Sequence, residues 1–509
     1  MQTQSYLEKK ISVFASIMKE LKIPFFSALA AGFAAYMFCF VNKLEIMDDL
    51  ACMFGQGATL SSGRWGLDII KYITPSVSLP WLNGILSLLL ISLAACLVIK
   101  LFEIKSMLLR ILLPAVLATF PSQTCTFAYM FTTVQYALSL LLAVSSVYLL
   151  AEGRDLKHIV SGCAVLVLAM GIYQPYVATA AAYLVVYVIF LAVKGRMSEK
   201  TILRKGVHFL GCLVTSLAVY YGITVVVQKL CGTGMNEYGE STLNGIGDVL
   251  FGIRVAYTSF LGYFLKGYYD LVPTAFSKFV HIACGAAVIA ILAVHFFSVD
   301  DRKKRRNLIL IVLLCMVLLP PAVNAVRIIS SMTHNLMLFS VTSVYVLAAV
   351  AADNCLRETA SKIPLMAGDF ISVCIAAVIC TNVYFANTVY FQMFMKVEQA
   401  EAFYTSAISE IMRDADFCEN SKIAFVGSND ILYEFPMIET DNLSGIREGI
   451  VGTYSQREFV RCFLGLDLNI CGWDDTDILA EDSRVAEMPS YPYHGSVQKI
   501  DDYYVIKLG

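Results

Sequence analysis

Apolar residues in this chain come in long unbroken runs, not in the three-and-four spacing of a surface helix or the alternation of a half-buried strand. Runs such as 82–99, 159–170, 308–319 and 371–380 dominate the first three quarters of the sequence. With their flanks, several reach the roughly 20 residues that cross a hydrocarbon core as a helix. Eleven segments read as candidate spans: 23–41, 82–99, 107–120, 130–150, 159–172, 176–193, 207–228, 280–297, 308–326, 335–352 and 369–390. The two shortest end just before Pro121 and Pro175, which stop or kink a helix. The first run is longer than the core of a cleaved signal peptide and reads as a retained span.

After residue 391 the pattern changes abruptly. The tail, 392–509, is polar and holds no spanning run, and it is long enough for a small domain. Residues 398–412 read as an amphipathic helix, and 423–426 and 503–508 as short strands. Two further hydrophilic segments, 42–81 and 231–279, contain half-apolar stretches at 65–73 and 249–265 that look like helices lying in the membrane interface. The expected fold is therefore mainly α. It is a polytopic transmembrane bundle of about eleven spans over 1–391, followed by a small extracytoplasmic α/β domain over 392–509.

Composition supports a membrane protein. Of 509 residues, 58% are hydrophobic and only 15% charged, and the mean hydropathy is +0.68. A soluble chain would carry about a quarter charged residues. Charge then orients the spans. With the N-terminus in the cytoplasm, the cytoplasmic segments 1–22, 100–110, 152–158, 194–206, 299–307 and 353–362 hold more than half of the 38 lysines and arginines, led by the clusters 302–306 and 194–205. This is the positive-inside bias. An odd number of spans puts the tail outside. A net charge of −2, with no basic stripe beyond those loops, argues against nucleic acid as a partner. The 15 cysteines are scattered without a C-x-x-C, so neither a metal site nor a disulfide framework has its spacing. They read as buried, inert thiols.

Four places offer chemistry. Glu45-Ile-Met-Asp48-Asp49 stands just beyond the first span, where a carboxylate pair between apolar walls and water can serve as a general base. The same residues also fit a solvated helix end. Ser61-Ser-Gly63-Arg64-Trp65-Gly66 follows; Arg64 suits a phosphate and the glycines let backbone N–H groups approach one, although Trp and Arg also anchor at headgroup depth. Gly171-Ile-Tyr173-Gln174-Pro175 lies between two spans, either as a polar cavity wall or as a turn. Pro320-Pro321, Asn324 and Arg327, with His334 beyond, put a cation behind a Pro-Pro break, where it could hold a lipid phosphate or snorkel. Phosphate-loop, dinucleotide and H-E-x-x-H motifs are all missing from the sequence. The cytoplasmic loops are short and leave no room for a soluble nucleotide-sugar domain; if the chain is a glycosyltransferase, its candidate groups face outside, where cytoplasmic nucleotide sugars do not reach, and the donor has to arrive attached to a lipid.

Taken in order, Asp48-Asp49, Ser62-Gly63-Arg64-Trp65, Gly171-Ile-Tyr173-Gln174, Arg327 and the closing pattern from Met488-Pro489 through Tyr491-Pro492, Gly495-Ser496 and Ile500-Asp501 to Val505-Ile-Lys-Leu508 resemble the GtrII-type glucosyltransferase domain family of bacteria, within the GT-C class. The resemblance spans nearly the whole chain. It implies transfer of glucose or a related hexose from undecaprenyl phosphate to a cell-surface glycan at the outer face, with inversion at the anomeric carbon. It implies Asp48 or Asp49 as base, Arg64 and Arg327 as ligands of the departing phosphate, and Tyr173, Gln174 and His334 in the substrate cavity. No cofactor or metal is called for when cationic side chains neutralise a monophosphate. The expected partners are the lipid-linked sugar, the glycan acceptor and the bilayer, with a small flippase for the donor as a further candidate. Two other classes compete: a transporter or flippase of lipid-linked sugars, and a polymerase or ligase of glycan chains. A transporter would need neither a paired carboxylate at the outer mouth nor a folded external tail, and no inverted repeat is visible.

Overall fold

The computed structural model describes residues 6–55, 57–73, 77–153, 155–235, 246–330, 333–355, 362–427, 443, 446 and 450–508; the side chains of 6–18, 246, 355 and 362–365 are left aside. Lys9 and Lys10 as side chains, and Arg357, fall outside what is described.

The chain is mainly helical. It opens with α1 (Tyr6–Val41) and two short helices, α2 (Met47–Ala51) and α3 (Trp65–Ile70). The bundle continues with α4 (Pro80–Leu101), α5 (Met107–Thr119), α6 (Pro121–Ala128), α7 (Thr133–Glu152), α8 (Leu156–Ile172), α9 (Tyr176–Lys194) and α10 (Glu199–Cys231). It is completed by α11 (Ile246–Leu265), α12 (Ala275–Phe297), α13 (Arg302–Val323), α14 (Ala325–Ile329), α15 (Ser343–Val350) and α16 (Lys362–Ile411). Among the described residues nine helices are long and apolar enough to cross a membrane, ten if the α5–α6 pair, bent by 42° at Pro121, is one span. Two segments expected as spans, α8 and the 339–354 stretch, are shorter apolar helices. The expected interfacial helix, α11, passes the length and apolarity test. It packs along α13 and α14. The Tyr257 hydroxyl donates to the Val317 carbonyl at 2.6 Å, Asn324 Nδ2 to the Ala256 carbonyl at 3.0 Å, and a Cβ on Gly252 would lie 3.0 Å from the Ile328 backbone.

The prolines show how the bundle satisfies its own backbone. Pro24 has no N–H for the Glu20 carbonyl one turn earlier, and Arg110 Nη2 donates to that oxygen at 2.5 Å. Pro321 likewise orphans the Val317 carbonyl, which is the oxygen Tyr257 fills. With its carbonyl satisfied, the Pro-Pro pair does not break the helix as expected. α13 runs through both prolines to Val323, and the chain turns at Asn324.

Segments carrying basic clusters meet at one end. Lys194 pairs with Glu103 at 3.0 Å, Lys205 donates to the Ala151 carbonyl at 3.3 Å, and Asp353 accepts from the backbone N–H groups of Lys105 and Ser106, each at 2.8 Å. α2, α3, the α6–α7 and α8–α9 turns, α14 and the tail gather at the opposite end.

The tail holds a four-stranded sheet of order β2-β1-β4-β3, with β1 (Lys422–Val426), β2 (Asn469–Ile470), β3 (Val497–Ile500) and β4 (Tyr503–Lys507). β1 pairs in parallel with β2 and β4, and β3 is antiparallel to β4. The boundary placed at 391/392 falls inside α16, a 50-residue helix. Between Gly368 and Ile411 the sequence has no Gly or Pro to stop it. The helix instead changes character, and Val397, Ala400, Tyr404, Ala407, Ile408 and Ile411 present one buried stripe to the sheet. Leu50 of α2 and nearby Met53 are buried in that same core, against which α17 (Gln456–Phe463) also packs. The thiols do not all behave as inert buried groups, since Cys231, Cys380, Cys418 and Cys462 are exposed.

Candidate active site

The two aspartates after α1 have different surroundings. Asp49 is fully buried. Its Oδ2 accepts from Ser78 Oγ at 2.5 Å and pairs with Lys43 Nζ at 3.0 Å, and its Oδ1 accepts from the Phe131 N–H at 2.8 Å. Those partners consume the carboxylate and pin α2 to the α6–α7 turn. Asn83 extends the frame by donating to the Val77 carbonyl at 2.7 Å and the Met130 carbonyl at 2.9 Å. Lys43 also pairs with the buried Glu45. One ammonium thus faces two carboxylates. Burial, and then the Asp49 charge, push the Glu45 carboxyl up to about 8, against the pull of Lys43.

Asp48 turns the other way. It lines a cavity of about 270 Å³ together with Arg64, Thr132, Tyr136, Tyr173 and His334. The hydroxyl of Tyr454, in the tail, donates to its Oδ1. Burial and that bond push the Tyr454 phenol upward, so it stays protonated and remains a donor.

The loop and turn motifs interlock at the cavity wall. Gly63 sits at φ +70, a left-handed conformation, with the Tyr220 hydroxyl where a Cβ would come within 2.7 Å. Tyr220 donates to the Gly63 carbonyl at 3.0 Å, and Gln174 Nε2 to the Ser62 carbonyl at 2.5 Å. Gly66 and Gly171 let α3 meet the end of α8 directly. A Cβ on Gly66 would lie 2.8 Å from the Gly171 carbonyl carbon, and one on Gly171 would lie 2.5 Å from the Trp65 ring.

That packing aims Arg64 inward. Its guanidinium lies 5.5 Å from the Tyr173 ring centre and 5.8 Å from that of Tyr136, which stack on each other at 3.9 Å. Nη1 donates to the Tyr136 hydroxyl at 2.9 Å, while Nε is buried with no protein acceptor. Among the described residues no carboxylate pairs with it. Two hydroxyls of lining residues, Thr132 Oγ1 and Tyr173 OH, are also buried without a partner among the described residues.

The family model described as Glucosyl transferase GtrII matches residues 37–353. The chain belongs to the GtrII glucosyltransferase family. No curated protein and no solved structure matches. Membership makes this membrane protein a glycosyltransferase, acting between a sugar donor and a glycan acceptor. Every residue singled out in the sequence lies within the matched region, and the tail with its closing pattern lies beyond it.

Of those residues the cavity gathers Asp48, Arg64, Tyr173 and His334. Gln174 stands behind the wall as a brace for the GtrII loop. Arg327, on α14, is outside the lining. Its Nη1 donates to the Tyr269 hydroxyl and its guanidinium lies 5.3 Å from that ring. Asn335, next to His334, donates to the Tyr269 carbonyl at 3.4 Å, which ties this cluster to the cavity's edge. Sequence reasoning missed Tyr454, Tyr136, Ser78 and the Phe131 N–H. Lys43, two residues from Glu45, was the one visible sign that part of the acidic cluster is neutralised in place.

Proposed function

We propose that this GtrII member transfers a hexose, glucose by the family's name, from a polyprenyl-phosphate carrier to a cell-surface glycan at the outer face of the membrane. The observation that carries the reading is the placement of Asp48 and Arg64 on one cavity, the first a carboxylate at its mouth and the second a cation with a buried N–H and no carboxylate partner among the described residues. The basic end of the bundle then faces the cytoplasm, and the cavity and tail face outward.

In this mechanism Asp48 accepts the proton of the acceptor hydroxyl as its oxygen attacks the anomeric carbon. The bond from that carbon to the phosphate oxygen breaks on the opposite side, its electron pair leaves with the lipid phosphate, and the configuration inverts. Arg64 receives the developing phosphate charge through its unpartnered N–H, preorganised on two tyrosine rings. The chemistry needs no metal on this reading, because the guanidinium supplies the compensating charge. Thr132, Tyr173 and His334 offer polar contacts to the sugar, and Arg327 is a second cation at the rim. Asp49 works through its ties to Lys43, Ser78 and Phe131, as a brace for α2.

The test is transfer of radiolabelled sugar by the purified chain, with lipid-linked mono- and oligosaccharides offered side by side. Product from a polyprenyl-phosphate hexose supports the reading. Product only from oligosaccharide lipids makes the protein a polymerase or ligase, and lipid translocation without product makes it a flippase.

A further inference from the structure

Asp48 and its hydrogen-bond donor Tyr454 are 406 residues apart in sequence. Their contact is built into the packing. Leu50 and Met53, from α2 and the turn after it, are buried among Phe403, Tyr404 and Phe459 of the tail core. The turn carrying Tyr454 is itself fixed, with Val451 and Ser455 fully buried and Thr453 Oγ1 donating to the Ile450 carbonyl at 2.8 Å. Tyr454 is 47% exposed, so it stands at the rim, where a large acceptor would come in.

A general base at this position requires one contact from the acceptor: an O–H donating to a carboxylate oxygen. The Tyr454 hydroxyl already makes that contact. We infer that Tyr454 is a placeholder for the acceptor hydroxyl, occupying Asp48 until a glycan displaces it and meanwhile denying the base to water. The inference rests on the reading of Asp48 as base. The reaction held back is hydrolysis. In it a water oxygen bonds to the anomeric carbon, the bond to the phosphate oxygen breaks with its electron pair leaving on the lipid phosphate, and the water proton passes to Asp48. The products are free sugar and lipid phosphate, a loss of donor. Tyr454 is thus a positioning residue that sets the partition between glycan and water, and the tail domain contributes to specificity at a site formed by the bundle.

The experiment uses the full-length chain in lipid nanodiscs with undecaprenyl-phosphate glucose labelled in the sugar. Free glucose is measured in buffer alone, and glucosyl-glycerol with glycerol as a probe alcohol. Tyr454→Phe removes one hydroxyl and keeps the ring, so its melting temperature should fall by no more than the loss of one hydrogen bond allows. The expected result is a rise in free-glucose release of roughly tenfold, the scale of one hydrogen bond to a charged group, together with half-saturation at lower glycerol. Unchanged release and transfer overturn the inference. So does a parallel fall in both, which marks a structural role. Asp48→Asn, run alongside, separates the two levels: if it still transfers, the base reading fails, whereas an inactive Asp48→Asn beside a silent Tyr454→Phe removes the placeholder alone.

Discussion

Asp48 and Asp49 point in different directions from one five-residue helix, the first onto the cavity and the second enclosed by Lys43, Ser78 and the Phe131 N–H. Isosteric changes at adjacent positions should therefore fail for different reasons. Asp48→Asn should leave melting temperature unaltered and lower transfer about 10²–10⁴-fold, the usual contribution of a general base. Asp49→Asn removes one of the two buried carboxylates that face Lys43 and sets an amide N–H against donors; it should destabilise the fold by about 1–3 kcal/mol, so yield and melting temperature fall while the folded fraction still turns over. Loss of turnover in folded Asp49→Asn, with normal Asp48→Asn, would exchange the two roles.

The cations are graded by position. Arg64→Ala should lower transfer about 10²–10³-fold, as loss of a preorganised donor to a developing anion does. Arg64→Lys should recover part, because a point charge replaces a planar fork. Arg327→Ala should cost less than tenfold, since its guanidinium is engaged by Tyr269 away from the lining. Equal losses at both, in side-by-side kinetics, would extend the phosphate site to α14.

Contact between α3 and α8 depends on two missing side chains. Gly66→Ala would press a methyl against the Gly171 backbone, and overpacking of this kind costs about 1–3 kcal/mol. Because Arg64 immediately precedes α3, the variant should lose turnover as well as thermal stability. Gly211→Ala is the control, since its Cβ would meet nothing within 4 Å.

Glu45 gives the fold a pH dependence. A carboxyl whose folded-state pKa is raised binds its proton more tightly when folded. That stabilisation is complete below the ordinary carboxylate range near 4 and is lost as pH rises through the folded value of about 8. Glu45→Gln is neutral throughout, so its melting temperature relative to wild type should climb between pH 5 and pH 9, on the order of those limits. A constant difference across the series would show that Glu45 stays ionised beside Lys43.

A reporter active only outside the cytoplasm, fused after Gly509, should be active. Activity of a cytoplasm-only reporter at that point would reverse the orientation and move the cavity to the inner face.

Much of the bundle was legible because bilayer-length apolar runs have few alternative structures. Strands 423–426 and 503–508 were legible for a related reason, as short apolar runs set in a polar tail. The helix ends were less legible, for local reasons. The end of the last span could not be seen at 391 because α16 exchanges a lipid-facing surface for a sheet-facing stripe without a breaker residue. The Pro-Pro pair misled because the hydroxyl that completes Val317 comes from Tyr257, sixty residues earlier. At the site, residue chemistry selected Asp48, Arg64, Tyr173 and His334, but two consecutive aspartates carry the same chemistry. Lys43 hints at the difference, and Ser78 and the Phe131 N–H, both remote in sequence, complete the set that distinguishes Asp49 from its neighbour.

The unbroken α16 turns length into angle. Fifty residues make a rod of roughly 75 Å, and each residue added to an α-helix rotates everything beyond it by about 100° while advancing it about 1.5 Å. A single insertion near residue 392 would therefore swing the tail around the rod's axis, carry Tyr454 off Asp48 and pull the tail core from Leu50 and Met53. Seven inserted residues, close to two full turns, would restore the heading but lift the tail about 10 Å clear of α2. The tail is clocked to the bundle in both phase and height, so this stretch of the chain can exchange residues far more readily than it can gain or lose them.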